Sequence, residues 1–309
     1  MRVLLVTFTL CALIAPRLAI AQEERKAAGI VLTPETLQQP IKPGRSSFLG
    51  FRLRAPWMQD AVLMRIPETL QSSLGLHFID HFRADMPQLS VLDPAPVWKT
   101  HPDTGAISYA AETREGVLFT AQAIPLPDGI EMRFTVRNGS GQRLSHVIHQ
   151  QCLSLSGSRQ FGAPLTLAPF HTWIGGEYQS LAATQPTPGE KGRQPWILMC
   201  TKGLAPHYQG QRDYADGWWV VDEVADHGLL VRHSADGKHL IAITWYEPSC
   251  MLMTNTRIPC MHAGPQRALT LAPGEEGEWR GKIYLMQNSP ERLLEAFARD
   301  SEALKKAEQ

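Results

Sequence analysis

Seven consecutive residues, Ile130 to Val136, alternate without a break between apolar and polar side chains. Ile130, Met132, Phe134 and Val136 point one way, and Glu131, Arg133 and Thr135 point the other. A period of two belongs to a half-buried strand, with one face on a core and one in solvent. The segment before it, GVLFTAQAIPLPDG, alternates at Val117, Phe119 and Ala121 and ends in the turn Pro127-Asp128-Gly129, while Arg137-Asn138-Gly139 closes the strand. The same grammar recurs. HGLLVRHSADGKHLIAITWYE reads as a hairpin turning at Ala235–Lys238, and Trp279–Leu285 reads as a strand after Pro273-Gly274-Glu275-Glu276. Short apolar runs divided by Pro, Gly, Asn and Asp continue from Phe48 onward.

One long helix is expected, over 289–306. Ser289 suits its cap, Pro290 its first position, and Glu291 the positive end of its dipole, while Lys305 and Lys306 suit the other end. A shorter helix is expected over Pro67–Leu76. The fold class is therefore all-β: a large antiparallel β-sandwich, or supersandwich, spanning 48–309 as a single domain with a C-terminal surface helix. Residues 22–47 are polar and Pro-containing and read as a leader, and 172–216, rich in Gly, Pro, Gln and Thr, reads as long loops.

The first 21 residues carry Arg2, an apolar run to Ala15, and Ala19 and Ala21 before Gln22. That order of charge, apolar segment and small residues is a cleavable export signal, which places the protein in the periplasm or outside the cell. Pro16 and Arg17 interrupt the apolar run, and no later stretch is long and apolar enough to span a bilayer, so no stable membrane anchor is expected after cleavage. Thirty basic and thirty acidic residues cancel, with no basic run, so the electrostatic footprint of a nucleic-acid binder is missing. Oligomeric state leaves no trace in the sequence.

Four cysteines follow the signal: Cys152, Cys200, Cys250 and Cys260. An even number in an exported chain favours disulfides, with three connectivities possible. The short MLMTNTRIP segment between Cys250 and Cys260 suits closure by a bridge, leaving Cys152 with Cys200. Four buried free thiols are the alternative.

A longer order of segments is recognisable. Asp128-Gly129-Ile130 with Phe134-Thr135-Val136-Arg137-Asn138 comes first. Trp245-Tyr246-Glu247, Asn255, Pro259–Pro265, Leu271–Glu275, Arg280–Leu285 and the closing helix follow. Over residues 50–300 this pattern resembles the galactose mutarotase-like, or aldose 1-epimerase-like, β-supersandwich superfamily. The resemblance implies a carbohydrate-related role, with a saccharide or polysaccharide as partner. Members include sugar mutarotases, accessory domains of glycoside hydrolases and polysaccharide lyases.

Several residues suit such chemistry. His262, set among Cys260, Pro259 and Pro265, can act as acid or base near neutral pH, with His171 or His149 as its companion. Asn255 and Arg257 lie beside it in sequence. Trp173, within Phe170-His171-Thr172-Trp173, offers a ring against which a sugar can stack. The run 207–223 holds Arg212, Asp213, Tyr214 and Trp218, and its arginine can hold a uronate carboxylate in bidentate fashion. The four residues of His149-x-x-Cys152 and Cys260-x-His262 have a composition that suits zinc. Those pairs lie far apart in sequence and thiolate sites are uncommon in oxidising compartments, so neither metal nor other cofactor is expected. Two readings follow: a sugar epimerase or lyase-like enzyme working by proton transfer at a sugar carbon, or a non-catalytic glycan-binding protein of the envelope.

Overall fold

The computed structural model describes residues 29–35, 49–79, 96–184, 196–204 and 218–307. Two sheets are formed. The first runs in the order β1 (Val31–Pro34), β2 (Gly50–Arg54), β3 (Val62–Ser72), β9 (Leu144–Ser154), β17 (Cys260–Pro265), β16 (Cys250–Asn255), β12 (Trp196–Thr201) and β13 (Trp218–Ala225). Strand β4 (Gly75–Ile79) also pairs with β3, and β18 (Leu269–Leu271) with β9. The second sheet runs β11 (Glu177–Ser180), β10 (Phe170–Ile174), β14 (Leu229–His233), β15 (His239–Thr244), β19 (Glu276–Gln287), β8 (Gly129–Asn138), β7 (Val117–Leu126), β6 (Ala106–Glu112) and β5 (Lys99–His101). All described pairings are antiparallel except that of β12 with β13.

The alternation read along Ile130–Val136 is the inner face of β8, and all four of its apolar residues are fully buried. They meet one continuous core between the sheets. Phe51, Met64, Leu153, Leu252 and Met261 come from the first sheet, and Phe119, Phe134, Ile241, Trp279 and Ile283 from the second. Burial of apolar area on this scale is the dominant stabilising term. The turn before β8 requires glycine at Gly129, which has φ +156° and lies so close to β19 that a Cβ would sit 1.9 Å from the Ile283 carbonyl oxygen.

The C-terminal helix α1 (Pro290–Ala307) covers the outer face of the second sheet. Leu293 and Ala296 bury against Leu229, Val231, Leu240, Ala242 and Tyr284. Polar groups pin the contact. Lys282 Nζ, 5% exposed, lies 2.7 Å from Asp300 of the helix and 2.8 Å from Asp128. The Tyr284 hydroxyl donates to Asp300 at 3.0 Å.

Three expectations are corrected. The stretch Pro67–Leu76 is not a helix but belongs to β3 and β4, with a register irregularity between Arg65 and Thr69. Within the expected leader, Val31–Pro34 forms edge strand β1 on β2. The 172–216 region contains the hairpin β10–β11 and strand β12.

The disulfide expectation is corrected as well: Cys152, Cys200, Cys250 and Cys260 are all buried free thiols. Cys250 faces Pro265 across β16 and β17, so Cys260 lies five residues away along the strand, about 16 Å at the usual rise. Strands β17 and β16 stand between Cys152 on β9 and Cys200 on β12, a separation of about 14 Å. Neither pair meets the Cα distance a bridge requires.

Candidate functional site

Strands β3, β9, β17 and β16 gather a polar cluster on the face of the first sheet turned away from the core. Pairing of Cys260 with Ser154 and Met261 with Leu153 fixes the register of β17 on β9. Met261 and Leu153 enter the core, so Cys260, His262 and Cys152 take the opposite face, and continuing the register sets His262 against Cys152. One ligand atom from each of these three residues lies within 4.8 Å of the others, and all three residues are buried.

The His262 ring is held on both sides. Its Nδ1 is 2.8 Å from the Gln151 carbonyl oxygen, which can only accept, so Nδ1 carries a proton and donates it. The same nitrogen lies 3.4 Å from Glu68 Oε2, and Gln150 Nε2 donates to that oxygen at 2.7 Å. The other nitrogen, Nε2, lies 3.2 Å from Cys260 Sγ. Asn255 Nδ2 donates to Cys260 Sγ at 3.1 Å, and Arg65 Nη1 approaches Cys152 Sγ at 3.7 Å. Burial works to lower the His262 pKa, but the Cys152 sulfur and the Glu68 carboxylate act against it, and the net is well above the ordinary histidine value. The hydrogen bond with Cys260, burial and the Glu68 charge hold the Cys152 thiol well above the usual thiol range.

His149 is elsewhere. It faces the core from β9, boxed by Phe134 at 4.6 Å, Trp245 at 4.6 Å and Trp279 at 4.7 Å between ring centroids. Neither of its ring nitrogens has a hydrogen-bond partner among the described residues. Its ring meets both indoles edge to face, an arrangement in which the positive ring edge meets a π cloud. Burial pushes its pKa down to about 3, so it is neutral in ordinary conditions.

His171 lies on the second sheet and belongs to a different group. Gly175 and Gly176, with φ +62° and +86°, make a two-residue turn between β10 and β11 and set Trp173 opposite Tyr178. His171 stacks on Tyr178 at 4.9 Å and on His233 at 4.3 Å, with interplanar angles of 14° and 11°. All three rings are half-buried, and they form a ledge at the end of the sheet. Burial and the neighbouring His171 push the His233 pKa to about 4, while burial also lowers that of His171 and raises that of Tyr178. At neutral pH the Tyr178 hydroxyl therefore donates to His233 Nε2, 2.6 Å away. Trp173 lies beneath, 4.7 Å from Tyr178, and is buried under the helix side of the sheet.

The three sequence-predicted histidines therefore occupy three places: the outer face of the first sheet, the core, and the outer face of the second sheet. Asn255 joins the His262 cluster. Arg257 does not enter it through any described contact; its backbone N–H donates to Asn255 Oδ1 at 2.9 Å. Arg212, Asp213, Tyr214 and residues 1–21, read above as an export signal, lie outside the described residues, and Trp218 is described only as the first residue of β13. Glu68, Arg65, Gln150, Tyr178 and His233 were missed by sequence reasoning. For Tyr178 a signal existed, because a Gly-Gly turn in Trp173-Ile174-Gly175-Gly176-Glu177-Tyr178 sets those two aromatics side by side. For Glu68 none existed, because its position depends on the irregularity in β3.

No protein-family model matches the chain, and no curated protein matches it significantly. Among solved structures it is similar to a galactose mutarotase-like protein from Clostridium acetobutylicum, at 10% identity and TM-score 0.42, covering 84% of this chain and 99% of that one. A galactose mutarotase-like protein from Lactobacillus casei is similar at 9% identity and TM-score 0.41, covering 83% of this chain and all of that one. A TPR-domain containing protein from Parabacteroides distasonis is similar at 11% identity and TM-score 0.37; 83% of this chain is covered, and it spans about half of that protein, 53%.

Proposed function

We propose that the protein is an exported sugar-binding β-sandwich protein, and that it holds a neutral saccharide at the ledge of His171, Tyr178 and His233. The observation that carries this is the parallel stacking of three half-exposed, uncharged rings with polar atoms along their edges. The apolar C–H face of a pyranose packs on such rings, and its hydroxyls need directed donors and acceptors of the kind imidazole and phenol supply. The lowered imidazole pKa values keep the ledge uncharged at neutral pH, which favours neutral over acidic sugars. The charge-to-small-residue pattern of residues 1–21 supports export.

Binding is favoured over catalysis at a sugar carbon. His262, the residue best suited to proton transfer, is only 4% exposed and tied to a backbone carbonyl and a carboxylate. His149 is walled into the core, and His171 lies on the other sheet.

Saturation-transfer NMR with a panel of neutral mono- and oligosaccharides tests the proposal. At least one sugar is expected to receive magnetisation on its ring protons, and that transfer is expected to vanish in Tyr178→Ala and His171→Ala variants of unchanged circular dichroism. Absence of transfer to every sugar, or transfer that survives both substitutions, overturns it.

A further inference from the structure

The cluster on the first sheet makes no use of the ledge, and its chemistry is of another kind. Two thiols and an imidazole converge within 4.8 Å on the outer face of β9 and β17. We propose that Cys152, Cys260 and His262 form a binding site for a soft d10 metal ion, zinc(II) or copper(I).

Four features carry the assignment. First, the donor types match: thiolate sulfur and imidazole nitrogen are what soft ions select. Second, the imidazole is already turned for ligation. Its Nδ1 proton is committed to the Gln151 carbonyl with Glu68 alongside, so Nε2 is the nitrogen directed at the sulfurs. Carbonyl and carboxylate partners on the far nitrogen are the usual way a metal-binding histidine is oriented. Third, each sulfur has a polar hydrogen-bond donor of its own, Asn255 for Cys260 and Arg65 for Cys152. Such donors can stay on the sulfurs as a second layer of contacts once an ion has replaced the thiol protons. Fourth, Met253 is the register partner of His262 on β16 and is buried, which sets a thioether beside the three donors on the same sheet face.

The spacing fits a metal better than a disulfide. Cys260 opposes Ser154, so Cys152 is its diagonal neighbour, and diagonal neighbours stand about 7–8 Å apart at Cα. That is at or beyond the reach of an S–S bridge. A tetrahedral ion with metal–sulfur bonds of about 2.3 Å separates its two sulfurs by roughly 3.8 Å and closes the gap without moving the strands. On loading, each S–H bond breaks as a metal–sulfur bond forms. The two thiol protons, together with any proton on Nε2, pass to solvent.

The test uses the full chain, reduced with a phosphine and stripped of metal by chelation. After incubation with Zn2+ or, anaerobically, with Cu+, the chain is expected to retain one equivalent of at least one of these ions through gel filtration. Co2+ as a spectroscopic substitute is expected to give the near-ultraviolet charge-transfer band of a thiolate–cobalt bond. Cys152→Ser and His262→Ala are each expected to weaken retention by on the order of tenfold or more, while Cys250→Ser keeps it. Failure to retain either ion, undiminished retention by Cys152→Ser, or a Cys152–Cys260 disulfide in the air-exposed protein overturns the proposal. Should the variants fail to fold, the cobalt spectrum of the unsubstituted chain decides. Sugar transfer at the ledge is read separately, so either proposal can fail alone.

Discussion

At the scale of the residue, His149 shows what a core does to an ionisable group. Phe134, Trp245 and Trp279 enclose it, and burial alone pushes its pKa to about 3. The unfolded chain takes up the proton below about pH 6.5, whereas the folded chain declines it until about pH 3. The stability contributed by a neutral His149 is therefore complete above about pH 6.5 and is lost as the pH falls towards 3, at about 1.4 kcal/mol per unit within that window. His77 and His233, both pushed to about 4 by burial, add to the same trend. Urea titrations at pH 7, 6 and 5 are expected to show a steeper decline in midpoint for the natural chain than for His149→Leu. Parallel declines would place the proton uptake elsewhere.

At the scale of the element, the C-terminal helix depends on a buried charge. Lys282 projects from β19 to Asp300 on the helix and to Asp128 on the β7–β8 turn, and Arg299 bridges both acids. Burial works to raise the Asp300 pKa, but the bonds from Lys282 and Tyr284 and the Arg299 charge outweigh it and hold it below the ordinary value. Removing one partner of such a group leaves the other desolvated and under-compensated. Asp300→Ala is expected to destabilise the protein by about 1–3 kcal/mol in equilibrium denaturation, and an unchanged midpoint would show the network to be incidental. The helix itself was legible in the sequence, because Ser289, Pro290 and Glu291 mark its start and the leucines keep its period. Strand β8 was equally legible, since its alternation is set by one local choice of inside and outside. The helix read at Pro67–Leu76 failed because its apolar residues are buried on both sides of an irregular strand, so no period of two survived to be read.

At the scale of the whole molecule, what the sequence hid was long-range register. His262 and Cys152 become neighbours only because β17 lies beside β9 with Met261 against Leu153. No pattern within either segment encodes that partnership, and the presumption of disulfides drew Cys250 and Cys260 together instead. With all four thiols of the described residues free, stability rests on the core between the sheets, as the burial of a chain this long allows. Thermal unfolding of the metal-free protein is expected to give the same midpoint with and without a phosphine reductant. A large drop on reduction would reveal a bridge.

The boxing of His149 has an optical consequence. Trp245 and Trp279 are almost wholly buried, in contact with an imidazole, and their indole N–H groups have no partner among the described residues. Indoles in such surroundings emit at the blue end of their range, and an imidazolium is a stronger quencher of that emission than a neutral ring. The two tryptophans therefore form a gauge set between the sheets. Their colour follows the entry of water into the gap, and their brightness follows the arrival of a proton on the ring between them.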